Sequence, residues 1–542
     1  MGNLNEVSGR VAINAPIGER LAARFAYMRL RKDGFVKNLG TGASSFGAKD
    51  REAIRADLRW QPTDNLDLRY VFEESQLNDT GFYIQYVPDP KVRNRPSVST
   101  PQVRDLQPND VKGLGHSLTA DWRLNDTLKL RSISAFCKLD SYTYQDYLSG
   151  RFGPGAALVG IGDLRHKQWS QEAQLLGSAF SDRLDYILGA YYFHEEASNL
   201  SEARLAPQGV ITYSDADIDN TAFALYAQAS YTPSILDERL HLTAAGRWSH
   251  DERDAFLTNT TKLIASGKII PGGSGSGHRQ YSDFSPSLTI AFDASRGVNL
   301  YGKYSEGYKS GGYNTRSSSF AVFAQGFRPE YVKAFELGLK SEFWDRRVRL
   351  NIAAFRSNYD DIQMTLVNVN NPTTSDTLNA GKAVIQGVEI DVTAKLARGL
   401  TASVGGAYLD PEYKRIIDGD GNNVTDTYRF SVPEKTLNAQ LTYQLPSTGI
   451  GDLSANINYS WQSRYLNANK DAGFYEFPAY GLLNSRVVLS KIPVVGTGDV
   501  SVAVWAKNLT DSKYWFINGA LFGGYRAWGE PRSYGIDLSY KF

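Results

Sequence analysis

One cysteine, Cys137, stands in 542 residues, so no internal disulfide can staple this chain. No apolar run comes near the roughly 20 residues that a membrane helix needs, which excludes a helical membrane protein. Neither charge is in surplus. The 59 Lys and Arg against 58 Asp and Glu leave a formal net charge of +1, which gives no electrostatic footprint for nucleic acid. The six histidines, His116, His166, His194, His241, His250 and His278, show no metal spacing on any one element. No Gly-x-Ser-x-Gly elbow occurs, since the Gly/Ser run at 272–277 has the wrong order. The stretch Gly42–Lys49 lacks the Gly-Lys-Ser/Thr ending of a phosphate loop. The stretch Asp418–Asp426 looks like a calcium loop, yet Asn423 stands where the sharp turn needs Gly, and Arg429 where the bidentate Glu belongs. No catalytic residue, resident metal or cofactor is therefore expected, and an enzyme is disfavoured. Met1-Gly2-Asn3-Leu4 also lacks the basic and apolar character of an export leader.

What the chain has in quantity is aromatic residues (32 Tyr, 25 Phe, 9 Trp) and period-two alternation. The end shows it best. Tyr534, Ile536, Leu538, Tyr540 and Phe542 share one parity, while Ser533, Gly535, Asp537, Ser539 and Lys541 share the other. That pattern is a β-strand with one apolar and one polar face. A closed barrel in lipid, apolar outward and polar inward, accepts such strands and leaves no open edge. Its aromatic residues would gather in girdles at the two interfaces.

The same pattern recurs along the whole length. Val7, Gly9, Val11 and Ile13 alternate with Ser8, Arg10, Ala12 and Asn14; Ile54, Ala56, Leu58 and Trp60 alternate with Arg55, Asp57 and Arg59. Short turns such as 61–65, 124–127, 179–183, 293–297, 344–347 and 493–498 take turns with long polar or Gly-rich loops. Those loops are expected near 78–111, 147–163, 200–219, 255–279, 308–330, 366–380, 413–430, 466–477 and 516–529. Short turns at one end and long loops at the other describe an outer-membrane barrel. The count comes to roughly 21 strands, in keeping with the large membrane barrels. No linker or composition shift divides the chain. The expected fold is all-β, a large antiparallel transmembrane β-barrel in one domain spanning 1–542.

Several stretches resemble the barrel of TonB-dependent outer-membrane receptors of the iron-complex type. The densest runs from Tyr304–Asn314 through Phe327–Glu330, Phe335–Ser341, Asn351–Phe355 and Tyr359–Gln363. Gln386–Ile390, Asn508–Asp511 with Tyr514, and Pro531–Phe542 follow in matching order. The resemblance implies a receptor in the bacterial outer membrane that takes up ferric siderophores or similar bulky nutrients, energised through the TonB complex. Family barrels have about 22 strands around a plugged lumen. The signal peptide, TonB-engaging segment, plug and first barrel strand of the family find no counterpart between Met1 and Phe542, so the span reads as the barrel portion.

Glu336, Lys340, Glu389 and Asp391 fall on polar parities and are expected to face the lumen. Aromatic and Arg residues of the long loops are the candidate ligand-binding set: Tyr83 and Tyr86; Tyr308, Tyr313 and Arg316; Trp515, Tyr525, Arg526 and Trp528. Such side chains bury area, stack and clamp anions with little entropy lost, which suits an anionic ferric chelate. Any one aromatic among them also fits the outer girdle. Two rival readings of other classes are a passive porin, with its usual 16–18 strands, and a soluble all-β binding module. Hairpin parity makes a last expectation. The first strand, about Leu4 to Asn14, and the last, Ser533–Phe542, both run toward the short-turn end, so no antiparallel ladder should join them.

Overall fold

The computed structural model describes residues 1–89, 91–147, 158–367, 374–418, 421–469, 476–493, 498–519 and 524–542. Gly419 and Asp420 of the calcium-like stretch, and residues 494–497 of one expected short turn, lie outside the described residues. Within the described residues one sheet has 21 strands, from Val7–Pro16 to Ser533–Lys541. Each pairs antiparallel with the next barrel strand in the chain. The alternation read from the sequence decides the facing. Leu188, Leu225, Trp248, Phe284 and Ile290 stand exposed on the outer wall, where lipid rather than water would meet them. The opposite parity carries charge into the lumen. There Asp57 accepts from Arg55 and Arg69 at 2.7 Å each, and Tyr301 donates to Glu336 at 2.6 Å with Lys340 lying 5.2 Å from its ring.

Two expected long loops are strand instead. The segments 200–219 and 255–279 fall largely within the strands Leu184–Leu205, Val210–Tyr231, Leu240–Leu263 and Ile269–Ser295. The ladder of the first two continues to Leu205 opposite Val210, and that of the last two runs to Lys262 opposite Ile269 with one bulge at Asn259/Thr260. Beyond the apolar band both faces meet water, so the apolar–polar alternation fades while the backbone ladder persists.

The join between first and last strands is a three-residue splice. Met1 N donates to Ile536 O and Ile536 N to Met1 O, both at 2.8 Å, and Asn3 N donates to Tyr534 O at 3.0 Å. Leu4 (φ 58°) and Asn5 (φ 51°) then reverse the chain, a turn with two positive φ values as in type I′ hairpins. The first strand therefore begins at Val7 rather than Leu4. All ten of its residues are exposed, and its described ladder is with Leu21–Lys32 alone. No ladder runs between it and Ser533–Lys541 among the described residues, as hairpin parity requires.

Above the long-loop end the connections pack into small cores of their own. One gathers Val36, Phe46, Tyr83, Val103, Leu106, Tyr144 and Val159; another Ala216, Ala255, Leu257 and Phe323; a third Phe477, Trp515 and Trp528.

Candidate functional site

The loop from Ser310 folds back over the lumen wall. Gly311 and Gly312 let this happen, because a Cβ on Gly311 would collide with Phe327 O and the Tyr281 ring. Gly312 and Phe327 then exchange backbone hydrogen bonds at 3.1 and 2.9 Å. A short helix, Phe320–Gln325, capped by Ser319 at Val322 N, drives Phe323 onto Ala216, Ala255 and Leu257. Those three share the lumen parity, so the helix sits inside the mouth.

Beneath it lies a recess of about 440 Å³ lined by Glu195, Asn220, Arg253, Lys309, Tyr313, Gln363 and Thr365, among others. Strand register supplies the first three, on adjacent barrel strands with side chains inward. Arg253 is held by Asp251 at 2.7 Å and by Ser310 Oγ at 3.1 Å. Tyr308 donates its phenol to the same Asp251. Glu195 accepts from Asn220 at 2.7 Å and faces His166 Nε2 at 2.9 Å. Gln363 donates to Ser310 O and Arg328 O at 3.0 Å each, fixing the loop from the other side.

Tyr313 stands apart. Its ring packs 5.5 Å from Phe323, and its phenol oxygen is buried with no hydrogen-bond partner among the described residues. Burial pushes that phenol up to about 12, so it stays a neutral donor at physiological pH. A buried polar atom without a partner carries a desolvation penalty of about 1–3 kcal/mol unless something binds it.

The other expected ligand residues divide by burial. Trp515, Arg526 and Trp528 are 3%, 2% and 2% exposed and pack on one another. The Arg526 guanidinium lies 3.8 Å over Trp515, the two indoles meet edge-on at 5.2 Å, and Trp528 donates to Gln85 Oε1 at 2.6 Å. Burial, with Arg93 close by, lowers the Arg526 guanidinium to about 10. These three hold together a loop sheet of Ile84–Tyr86, Tyr525–Trp528 and Trp515–Gly519. Tyr83 is likewise interior, edge-on to Phe46 at 5.1 Å. Tyr86 and Tyr525 are opposite each other on that loop sheet, with Tyr86 exposed. Arg316 is exposed on the loop that carries Tyr313. The recess thus brings Tyr313 together with Arg253, Glu195 and Lys309, which the sequence reading did not single out. Arg253 and Glu195 lie within strands, where any lumen charge looks the same; only their height near the mouth distinguishes them.

The profile of the family described as "TonB dependent receptor-like, beta-barrel" matches residues 54–509. Among curated proteins, the metal-pseudopaline receptor CntO of Pseudomonas aeruginosa is 23% identical over 257 residues, 47% of this chain and 33% of that protein. The ferric-pyoverdine 358 receptor of Pseudomonas putida is 23% identical, covering 57% of this chain and 34% of that protein. The pesticin receptor of Yersinia enterocolitica is 25% identical, covering 71% and 53%. The chain spans between a third and about half the length of these curated relatives. Among solved structures, the ferric yersiniabactin uptake receptor FyuA from Yersinia pestis superposes with a TM-score of 0.80 at 18% identity, over 100% of this chain and 79% of that one. BauA, the ferric preacinetobactin receptor from Acinetobacter baumannii, does so with a TM-score of 0.73 at 17% identity, over 100% and 78%.

Proposed function

Because this chain belongs to the TonB-dependent receptor-like β-barrel family and is an outer-membrane barrel, we propose that it is the transport wall of a receptor for a ferric siderophore or a similarly bulky nutrient. In this reading residues 1–542 are the barrel domain. A plug with its TonB-engaging segment is a separate part of the transporter, and pulling on it admits the ligand. The barrel supplies wall and mouth. The relatives named above for ferric and metal complexes support the ligand class.

The observation that carries the proposal is the recess, whose lining gathers Arg253, Lys309 and Tyr313, the last with an unpartnered phenol. Two cations and a neutral phenolic residue in one lining fit the oxygen-rich, anionic rim of an iron chelate. Tyr86, Arg316 and Tyr525 extend the contact surface outward, Tyr308 sets Asp251 against Arg253, and Tyr83, Trp515, Arg526 and Trp528 keep the loops in place.

The test is a fluorescence titration of the detergent-folded barrel with ferric hydroxamate, catecholate and carboxylate siderophores. Saturable binding of at least one is expected, weakened about tenfold by Tyr313→Phe and by Arg253→Ala, since each removes a hydrogen bond or charge pair worth roughly 1–2 kcal/mol. No binding of any class, or binding indifferent to both changes, would overturn the assignment of the recess.

A further inference from the structure

The outer wall carries a second chemistry-bearing cluster, unconnected with the recess. Tyr192, Phe223, Trp248 and Phe284 set the outward parity on four neighbouring strands. Toward the long-loop end the same parity brings His194 and Glu196, Asp219, Glu252 and Asp254, and His278. Register aligns Glu196 with Asp219, Asp219 with Asp254, and Asp254 with His278. The side chains form two sets, His194/Glu196/Asp219 and Glu252/Asp254/His278, and within each set one candidate ligand atom per residue lies within 4.8 Å of the others.

Three carboxylates directly opposite one another across strands repel. The described ion pairs of these four acids run to the two imidazoles and to no Lys or Arg. His194 lies 3.5 Å from Glu196 through Nε2 and 3.6 Å from Asp219 through Nδ1, and His278 lies 2.8 Å from Asp254 through Nδ1 and 3.7 Å from Glu252 through Nε2, so a shared ion would turn each ring to offer one nitrogen. The two sets are built alike. Each takes a pair two residues apart on one strand, or its counterpart, and completes it from the neighbouring strand. That is why no single element shows metal spacing.

We propose that each set binds one divalent cation of the zinc class through one imidazole nitrogen and two carboxylate oxygens. Mixed nitrogen and carboxylate donors suit borderline metals, whereas calcium and magnesium take oxygen. Two bound ions would cancel the repulsion along the row. Each keeps an open position facing outward. At about 3.3 Å per residue and about 40° of tilt, the climb from Leu184 to Glu196 is about 30 Å, just beyond an apolar band about 25 Å tall. The row therefore faces the headgroup layer of the outer leaflet. The register line continues through Lys167 to Lys138, so basic groups flank the metal row on that side.

The experiment is calorimetric titration of the tag-free, chelator-treated barrel in detergent with ZnCl2 at pH 7.5. Two zinc ions per chain are expected. His194→Ala and His278→Ala should each lower the stoichiometry to one, and the double variant should abolish saturable binding. A hundredfold excess of MgCl2 should leave the zinc isotherm unchanged. Glu196→Gln and Asp254→Asn, which preserve size, should each weaken one site at least tenfold, and heat-modifiable migration on gels confirms that every variant is folded. Absence of saturable zinc binding, an unchanged stoichiometry in the histidine variants, or full competition by magnesium would each overturn the proposal.

Discussion

Lys32 Nζ lies 2.9 Å from Glu530 Oε2, fastening the second barrel strand to the segment that enters the last one. Lys49 holds the other oxygen at 2.5 Å, and Lys32 also reaches Glu6 at 3.6 Å. Burial alone would raise the Glu530 carboxyl, but the hydrogen bonds from Lys49 and Lys32 outweigh it and hold it at about 2 against an ordinary 4.5. Its stabilisation is full above the unfolded value and is lost as pH falls through the folded one. Glu530→Gln is expected to destabilise the barrel by about 1 kcal/mol at pH 7, a figure discounted for partial exposure. The difference from the parent should shrink between about pH 4.5 and pH 2. Urea denaturation in detergent at pH 7, 4 and 2, followed by tryptophan fluorescence, checks both sign and window.

Leu188 is 48% exposed on the outer wall, part-way up the apolar band. Leu188→Arg is expected to cost about 2–4 kcal/mol, because a cation would face hydrocarbon. Its ladder partner Leu175 shares that wall, whereas Gln174 points into the lumen toward Glu172 and Tyr226. Gln174→Arg should therefore change stability by well under 1 kcal/mol. Refolding equilibria into liposomes measure the contrast, and equal penalties at the two positions would contradict the assigned facing.

Arg526 and Arg253 should separate stability from binding. Arg526→Ala strips the guanidinium that stacks on Trp515 and hydrogen-bonds Asn518 at 3.3 Å and Val92 O. It is expected to loosen the loop sheet by about 2 kcal/mol and to speed proteolysis of the 84–86 and 515–528 segments. Arg253→Ala should leave proteolysis unchanged and weaken ligand. Limited proteolysis beside siderophore titration reads out both.

A lipid-facing wall also predicts recovery with outer membranes and faster gel migration before boiling than after. Full solubility of the folded protein without detergent would contradict it.

The barrel was legible because one face of each strand meets lipid and the other meets water; Leu188 beside Gly189, or Ile536 beside Asp537, declares its side. The upper strand segments were not, since around Asn199 or Gly275 both faces are wet and no alternation remains. The mouth was half legible. Tyr313 stood out as a loop aromatic, but so did Trp515 and Trp528, and only packing shows that the indoles are interior while the phenol is unpartnered. Arg253 is one lumen charge among many until the loop from Ser310 closes over it. The His194 and His278 sets depend on cross-strand register, which no single stretch of sequence records. The missing ladder between first and last strands was readable from hairpin parity, but not the Met1–Asn3 splice or the turn at Leu4 and Asn5 that moves the first strand's start.

The central claim is energised uptake through this wall. The direct measurement is accumulation of a 55Fe-labelled siderophore by cells lacking their own receptors, carrying this barrel joined in frame to a family plug domain, with and without functional TonB. Accumulation above the external concentration is expected only when TonB is functional, with Arg253→Ala and Tyr313→Phe lowering it. Equal entry in both strains, rising linearly with concentration and indifferent to both substitutions, would make the protein a passive pore.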